Sequence, residues 1–251
     1  MAMPAAVERT DPDEATLRRD LAAAYRLVAL FGWDDLIATH ISVRLPGENG
    51  FLINPFGMLF EEIRPGDLVK VDMEGNLLAP TRWGVNTAGF VIHSAIHAVR
   101  HDARCIMHLH THDGVAVSTL EEGLLPLNQT AMTVAQGVAF HEYEGVAVDL
   151  AERERLAADL GDKSLMLLRN HGTLALGDTV AEAFTAMYFL ETACTIQVRA
   201  LGMGRPLHLP SRESVDKVGA MTAGGLFGIA DHLVWPAMLR KLDRLDPTWR
   251  D

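Results

Sequence analysis

The chain is poor in the residues that would give it a disulfide scaffold, a nucleic-acid surface or a membrane anchor. Only two cysteines occur in 251 residues, Cys105 and Cys194, far apart and outside any CxxC pattern. No disulfide framework is expected; both read as buried free thiols of a reducing compartment. Lysine and arginine total 22 against 33 acidic residues, the formal net charge is −11, and no basic block is present. The electrostatic footprint that holds a phosphate backbone is missing, so nucleic acid is not an expected partner. No window approaches the ~20 uninterrupted apolar residues of a membrane span. The opening MAMPAAVERTDPDE lacks a basic stretch followed by an apolar one. A cytoplasmic location without a membrane partner is the expectation.

What is present is a 49% hydrophobic chain with eleven histidines. That suffices for one sizeable core, and a single domain over 1–251 is expected, with its core at about 15–225 and a helical tail at 226–251. From Thr16 to Phe31, Leu17, Leu21, Ala24, Leu27, Val28 and Phe31 recur at helical spacing, and Gly32 follows as a stop. Between Ile41 and Leu78 the short apolar runs ISVRL, GFLI, DLVKVD and GNLL alternate with PGENG, NPFG, RPGD and MEG, which reads as antiparallel strands and turns. Residues 86–101 return to a helical period. Arg104 to Leu109 and Leu165 to Leu168 read as buried strands. Helices are expected at Leu150–Leu160 and Val180–Leu201, the second capped by Asp178 or Thr179. The tail GLFGIADHLVWPAMLRKLDRLDPTWRD reads as a helix interrupted at Trp235-Pro236, because proline breaks the helical ladder. The order of elements implies a sheet with helices on both faces.

The chemistry concentrates in CIMHLHTHDG, Cys105 to Gly114. Side chains at i and i+2 of a strand share a face, so His108 and His110 project together while Met107 and Leu109 enter a core. A third imidazole is offered by LLRNHGTLALGD, where Gly172 lets the chain turn and leaves His171 at a strand end. Three neutral imidazoles suit zinc first, with iron, manganese or cobalt as alternatives, and leave coordination positions for water or substrate. Asp113-Gly114 marks the strand's end and places His112 behind the ligands. His93 and His97, four apart on a helix without a third partner, read as packing or helix-surface residues. AFHEYEG clusters His141 with Glu142, Tyr143 and Glu144, and makes His141 and Tyr143 the acid or base candidates.

At this point GVNTAGFVIHSAIHAVRHDARCIMHLHT, GLLPL and LLRNHGTLALGDTVAEAFTAMYFLETACTIQVRAL, with FGWDDLIATHISVR and INPFGMLF, resemble the class II aldolase/adducin family. Within it they are most similar to adducin heads and their bacterial relatives. The resemblance spans roughly residues 15–205. It implies a three-layer α/β/α sandwich around a central, largely antiparallel sheet. It also implies a homotetramer with interfacial active sites, and His108, His110 and His171 as ligands of a divalent metal ion, zinc in the sugar-phosphate aldolases.

The departures narrow the function. Those aldolases carry an acidic residue nineteen positions before HxH; here Gly89 stands there. Their phosphate cradle matches Thr39-His40, Phe56-Gly57 and Thr87-Ala88, so most hydroxyl and amide donors are gone. A dianionic phosphate would lose several charge-assisted hydrogen bonds of about 1.5–3 kcal/mol each. The substrate expected is a small non-phosphorylated molecule bound around His40, Gly57, Thr87 and Gly89, its carboxylate held by His40 with Arg82 or His141 as further anion holders. A tyrosine used by the aldolases has no counterpart in the tail, since only Tyr25, Tyr143 and Tyr188 exist. The leading expectation is a metal-dependent lyase performing retro-aldol cleavage or decarboxylation of a hydroxy or oxo acid, because decarboxylation least needs a base at position 89. The alternatives are a non-haem iron oxygenase on the same three histidines and a non-catalytic adducin-like binding module.

Overall fold

A computed structural model describes residues 11–146, 149–222 and 226–251 of the chain. The first helix, α1, runs Glu14–Leu30. It starts two residues earlier than its apolar period suggests because the Asp13 side chain accepts from Thr16 N at 2.8 Å and supplies the N-cap. Gly32, at φ +67°, ends the segment in the left-handed conformation that glycine adopts without strain.

Seven strands form one sheet: β1 His40–Arg44, β2 Gly50–Ile53, β3 Val69–Asp72, β4 Cys105–Leu109, β5 Val138–His141, β6 Leu165–Leu168 and β7 Gly172–Gly177. Their spatial order is β3-β2-β1-β4-β7-β6-β5. Every neighbouring pair is antiparallel except β5 with β6. The GNLL run, expected as a strand, contributes only the isolated bridge Val71↔Leu77. β5 and β7 were not anticipated. β7 is bounded by glycines that resemble turn signals, yet Gly172 is there for space: a Cβ would overlap the Leu109 carbonyl oxygen on β4. The reversal itself falls on Asn170, at φ +57°, a residue that tolerates the left-handed region.

Strand alternation divides the core. Met107, Leu109, Ile41, Val43, Leu165 and Leu167 pack on one side against α1 and the long helix Val180–Gly202. Ile106, Met166, Leu168, Leu174 and Leu176 pack on the other, with the helices Thr87–Val99 and Glu152–Leu160. α2 spans Thr87–Val99, capped by the Asn86 side chain; α3 is His112–Ser118, α4 Gln129–Val134, α5 Glu152–Leu160 and α6 Val180–Gly202. Thr179 is the α6 cap, accepting from Glu182 N at 3.1 Å. α7 is Arg212–Thr222 and α8 Trp235–Leu245. The tail is helical as expected, but Pro236 sits in the first turn of α8, where its missing N–H costs no ladder bond, behind a π-helical turn at Ala230–Val234. Trp235 and Trp249 are buried within the chain, donating from Nε1 to Asp20 Oδ1 at 2.9 Å and Asp243 Oδ1 at 3.2 Å. No helix among the described residues is long and apolar enough to cross a membrane.

Tyr25 ties the first layer to the sheet. Its buried hydroxyl accepts from Asn54 N at 2.9 Å and Ile41 N at 3.1 Å, and donates to the Ile41 carbonyl. This phenol is structural and takes no part in the site.

Candidate metal centre

Two backbone segments bring three imidazoles together. β4 points His108 toward the α2 side of the sheet, His110 follows just past the strand, and His171 sits at the tip of the β6–β7 hairpin. Thr111 then starts α3 by accepting from Gly114 N at 3.0 Å, so the chain leaves the sheet immediately after His110. His110 Nε2 lies 2.9 Å from His108 Nε2 and 3.0 Å from His171 Nε2. Among the described residues this trio is the one cluster of His, Cys, Asp or Glu with metal-ligating spacing.

The outward nitrogens fix what the inward ones carry. His108 Nδ1 donates to the Thr173 carbonyl at 3.0 Å, and His110 Nδ1 faces Asp35 Oδ2 at 3.0 Å, so in the neutral rings both protons sit on Nδ1. Both Nε2 atoms are then bare lone pairs only 2.9 Å apart, an arrangement that is repulsive without a shared cation. A tetrahedral ion with nitrogen ligands at about 2.0–2.1 Å separates them by about 3.3 Å, so the trio fits a metal with a small opening. Burial and the neighbouring rings hold His108 well below the usual imidazole range. Burial, with His110 and His141 adding to it, lowers His171 to about 4. His108 and His171 therefore keep the neutral form that binds metal.

Asp35 and Thr173 thus orient two of the rings, and neither stood out in the sequence. The only signal was the paired acids of WDDL, 75 residues before His110. A further hidden residue is Glu191 of α6, on the opposite side of the sheet. It is almost wholly buried, accepts from Thr173 Oγ1 at 2.6 Å and from the Thr111 hydroxyl, and burial raises its carboxyl to about 7. An acid on a helix face otherwise made of Phe184, Met187, Leu190 and Cys194 was its signature.

In front of His110 and His171 opens a cleft of about 320 Å³, with Asp34, Asp35 and His112 on its wall. His112 begins α3 and does not continue the strand. His40 is paired with His108 across β1–β4 and is 2% exposed. Gly89 lies under its ring, since a Cβ there would be 2.7 Å from His40 Cδ2. Gly57 belongs to the turn after Pro55, and Thr87 opens α2. Arg82 is stacked on Trp83, 4.9 Å from its ring centroid. Tyr143 is exposed, its ring 6.3 Å from that of His171. His141 is buried at the end of β5, with Nδ1 2.7 Å from Asp159 Oδ2 and Nε2 3.4 Å from Glu152 Oε1, so both nitrogens face carboxylates of α5. His93 and His97 are buried on α2 rather than on its surface, and both lie within hydrogen-bond distance of Ser42 Oγ.

A seven-stranded, mostly antiparallel sheet layered by helices, with three imidazoles converging at strand ends, defines an α/β protein with a cluster that could hold a metal ion. The model of the Class II Aldolase and Adducin N-terminal domain matches residues 19–198, and the chain belongs to that family. A Caulobacter vibrioides protein carrying an aldolase class 2 name is 54% identical over 235 residues, 93% of this chain and 91% of that one. The crystal structure of an aldolase II superfamily protein from Pseudomonas syringae superimposes with a TM-score of 0.90 at 50% identity, covering 97% and 98% of the two chains. An L-fuculose 1-phosphate aldolase from Glaciozyma antarctica superimposes at 0.83 with 27% identity, covering 98% and 97%.

Proposed function

We propose that the protein is a metal-dependent carbon–carbon lyase that cleaves or decarboxylates a small non-phosphorylated hydroxy or oxo acid, with zinc held by His108, His110 and His171. The observation that carries this reading is the pair of bare Nε2 atoms 2.9 Å apart, with their Nδ1 protons committed to Thr173 and Asp35. A divalent ion in that position supplies Lewis-acid stabilisation of the negative charge left by a breaking carbon–carbon bond. The protein's own part is to hold the ligands neutral and oriented, and to keep the cleft side open for a substrate.

Position 89 and the cradle positions favour a substrate without phosphate. Gly89 has no side chain to move a proton, Thr39 is buried, and His40 is engaged with His93 at 2.8 Å. Tyr143 has its ring 6.3 Å from that of His171, whereas His141 is held by α5 and serves better to position the β5 end. Phe140, Tyr143, Val146 and Leu150 are exposed apolar residues on and just after β5, and we read them as the contact of a second copy in a homotetramer with interfacial sites.

The test is direct. Protein loaded with Zn²⁺, Mn²⁺ or Co²⁺ is incubated with a panel of hydroxy-oxo acids while pyruvate, aldehyde and carbon dioxide are followed. Release from at least one acid, lost in His108→Ala, is expected; silence across the panel with metal bound sinks the lyase reading. Oxygen uptake by the iron-loaded protein in its place would establish the oxygenase alternative.

A further inference from the structure

Helix α6 packs on the sheet face opposite α2, and its buried face of Phe184, Met187, Leu190 and Cys194 contains one acid, Glu191, only 1% exposed. The two oxygens of its carboxyl take different partners. Thr173 Oγ1 donates to Oε1 at 2.6 Å, and the Thr111 hydroxyl meets Oε2. Each threonine belongs to one of the two backbone segments that carry the trio. Thr111 follows His110 directly, and Thr173 is the second residue after His171. A carboxyl is rigid, so its two oxygens impose one separation on the two hydroxyls.

That separation matters because of where the strand pairing ends. The β4–β7 ladder runs from Cys105↔Gly177 to Leu109↔Thr173. His110 and His171 both lie just past its last rung, where ladder pairing no longer sets the distance between the segments. His108 lies inside the ladder, and its Nδ1 donates to the Thr173 carbonyl at 3.0 Å. Thr173 therefore acts on both faces of the sheet, its carbonyl toward His108 and its hydroxyl toward Glu191. Thr111 is engaged twice as well: its hydroxyl meets Glu191 and accepts from Gly114 N at 3.0 Å, which starts α3 directly behind His110.

Two further observations mark this contact as built. A Cβ on residue 114 would be 2.5 Å from Thr111 Oγ1, 2.7 Å from Thr173 Cγ2 and 3.0 Å from Glu191 Oε1, so the glycine is the space in which the three side chains meet. One turn further along α6, Thr195 Oγ1 donates to Asp113 Oδ2 at 2.6 Å, a second tie from the same helix to the start of α3. Stability alone does not call for such an arrangement, since apolar side chains of the same shape fill a core as well as a carboxyl and two hydroxyls do. Nor do the contacts depend on charge. An ionised carboxyl accepts from both threonines, and a protonated one accepts from one and donates to the other.

We propose that Glu191 is a positioning residue of the centre: reaching in from α6, it gauges the gap between the end of β4 and the β6–β7 hairpin, and so sets how closely His108, His110 and His171 approach a common ion. Thr111 and Thr173 are the two arms of this gauge. The proposal rests on the metal reading above and extends it to a helix that supplies no ligand.

The experiment uses the full chain, with Zn²⁺ and Co²⁺ as probes. Glu191→Leu has a similar volume and removes both contacts. Chelator competition should show its zinc affinity lower by about tenfold or more, and its cobalt absorption, which reports ligand geometry, should shift. Glu191→Gln can still span the two hydroxyls with its carbonyl and amide groups, and both readouts should return close to wild type. Thr173→Val leaves the carbonyl used by His108 in place. It should weaken zinc binding as Glu191→Leu does, and the two substitutions together should cost no more than one alone.

Wild-type zinc affinity with an unshifted cobalt spectrum in Glu191→Leu overturns the proposal whatever its melting temperature, because a purely structural acid would alter stability and leave both readouts in place. Should Glu191→Leu fail to fold, the same wild-type readouts in Thr173→Val overturn it. A wild-type protein that takes up neither ion refutes the metal reading instead.

Discussion

Replacing Glu191 by glutamine tests whether a buried acid beneath the trio makes the protein's stability depend on pH. The carboxyl rests at about 7 in the folded chain against an ordinary 4.5, chiefly through burial, with Asp113 adding repulsion and the Thr111 and Thr173 hydroxyls opposing it. A raised acid means that the folded state keeps its proton after the unfolded state has lost it. Its contribution is therefore most favourable below pH 4.5 and declines as pH rises through 7, after which it is flat. At about 1.4 kcal/mol per pH unit, the rise amounts to a penalty of about 3 kcal/mol at pH 8 relative to pH 4.5. Glutamine cannot ionise and still offers one oxygen to a threonine hydroxyl. Urea unfolding of metal-free protein at fixed concentration, run from pH 5 to 8, should show wild type losing about 2–3 kcal/mol more than Glu191→Gln across that interval. Parallel stability curves for the two proteins would refute the reasoning. The result also bears on the site, because the Thr173 residue that binds Glu191 through its hydroxyl binds His108 through its carbonyl.

Three further outcomes are expected. Zinc at about 100 times its dissociation constant should raise wild-type stability by about 2.7 kcal/mol, and thermal melts of His108→Ala and His171→Ala should show no such gain. Asp35→Asn should weaken metal binding about 10–100-fold in a chelator competition, by loosening His110 without removing a ligand. Tyr25→Phe removes the acceptor of the Ile41 and Asn54 N–H groups, and denaturant unfolding should show a loss of about 2–4 kcal/mol with metal stoichiometry unchanged.

Where the sequence was informative, the signal was local. Alternation along Cys105–Leu109 separated Met107 and Leu109 from His108, and the core clusters divide along the same line. The helical spacing of His93 and His97 was equally readable, but the hydrogen bonds that both make to Ser42 were not. What escaped was set by distant partners: Glu191 meets Thr111 80 residues away, and His93 meets His40 at a separation of 53. β7 was hidden because a glycine required by close packing looks, in a single sequence, like one required by a turn. α3 was masked by Gly114 in its first turn, although Thr111 carried the cap signal.

The pairing of β4 with β7 sets His108 opposite Leu174 and Leu109 opposite Thr173. A slip of one residue would reverse the face of every side chain on the displaced strand and carry His171 away from its companions. Occupancy by an ion would thus be a proofreading step for the chain: only molecules with the correct strand alignment could capture it, and capture would in turn lock that alignment against sliding.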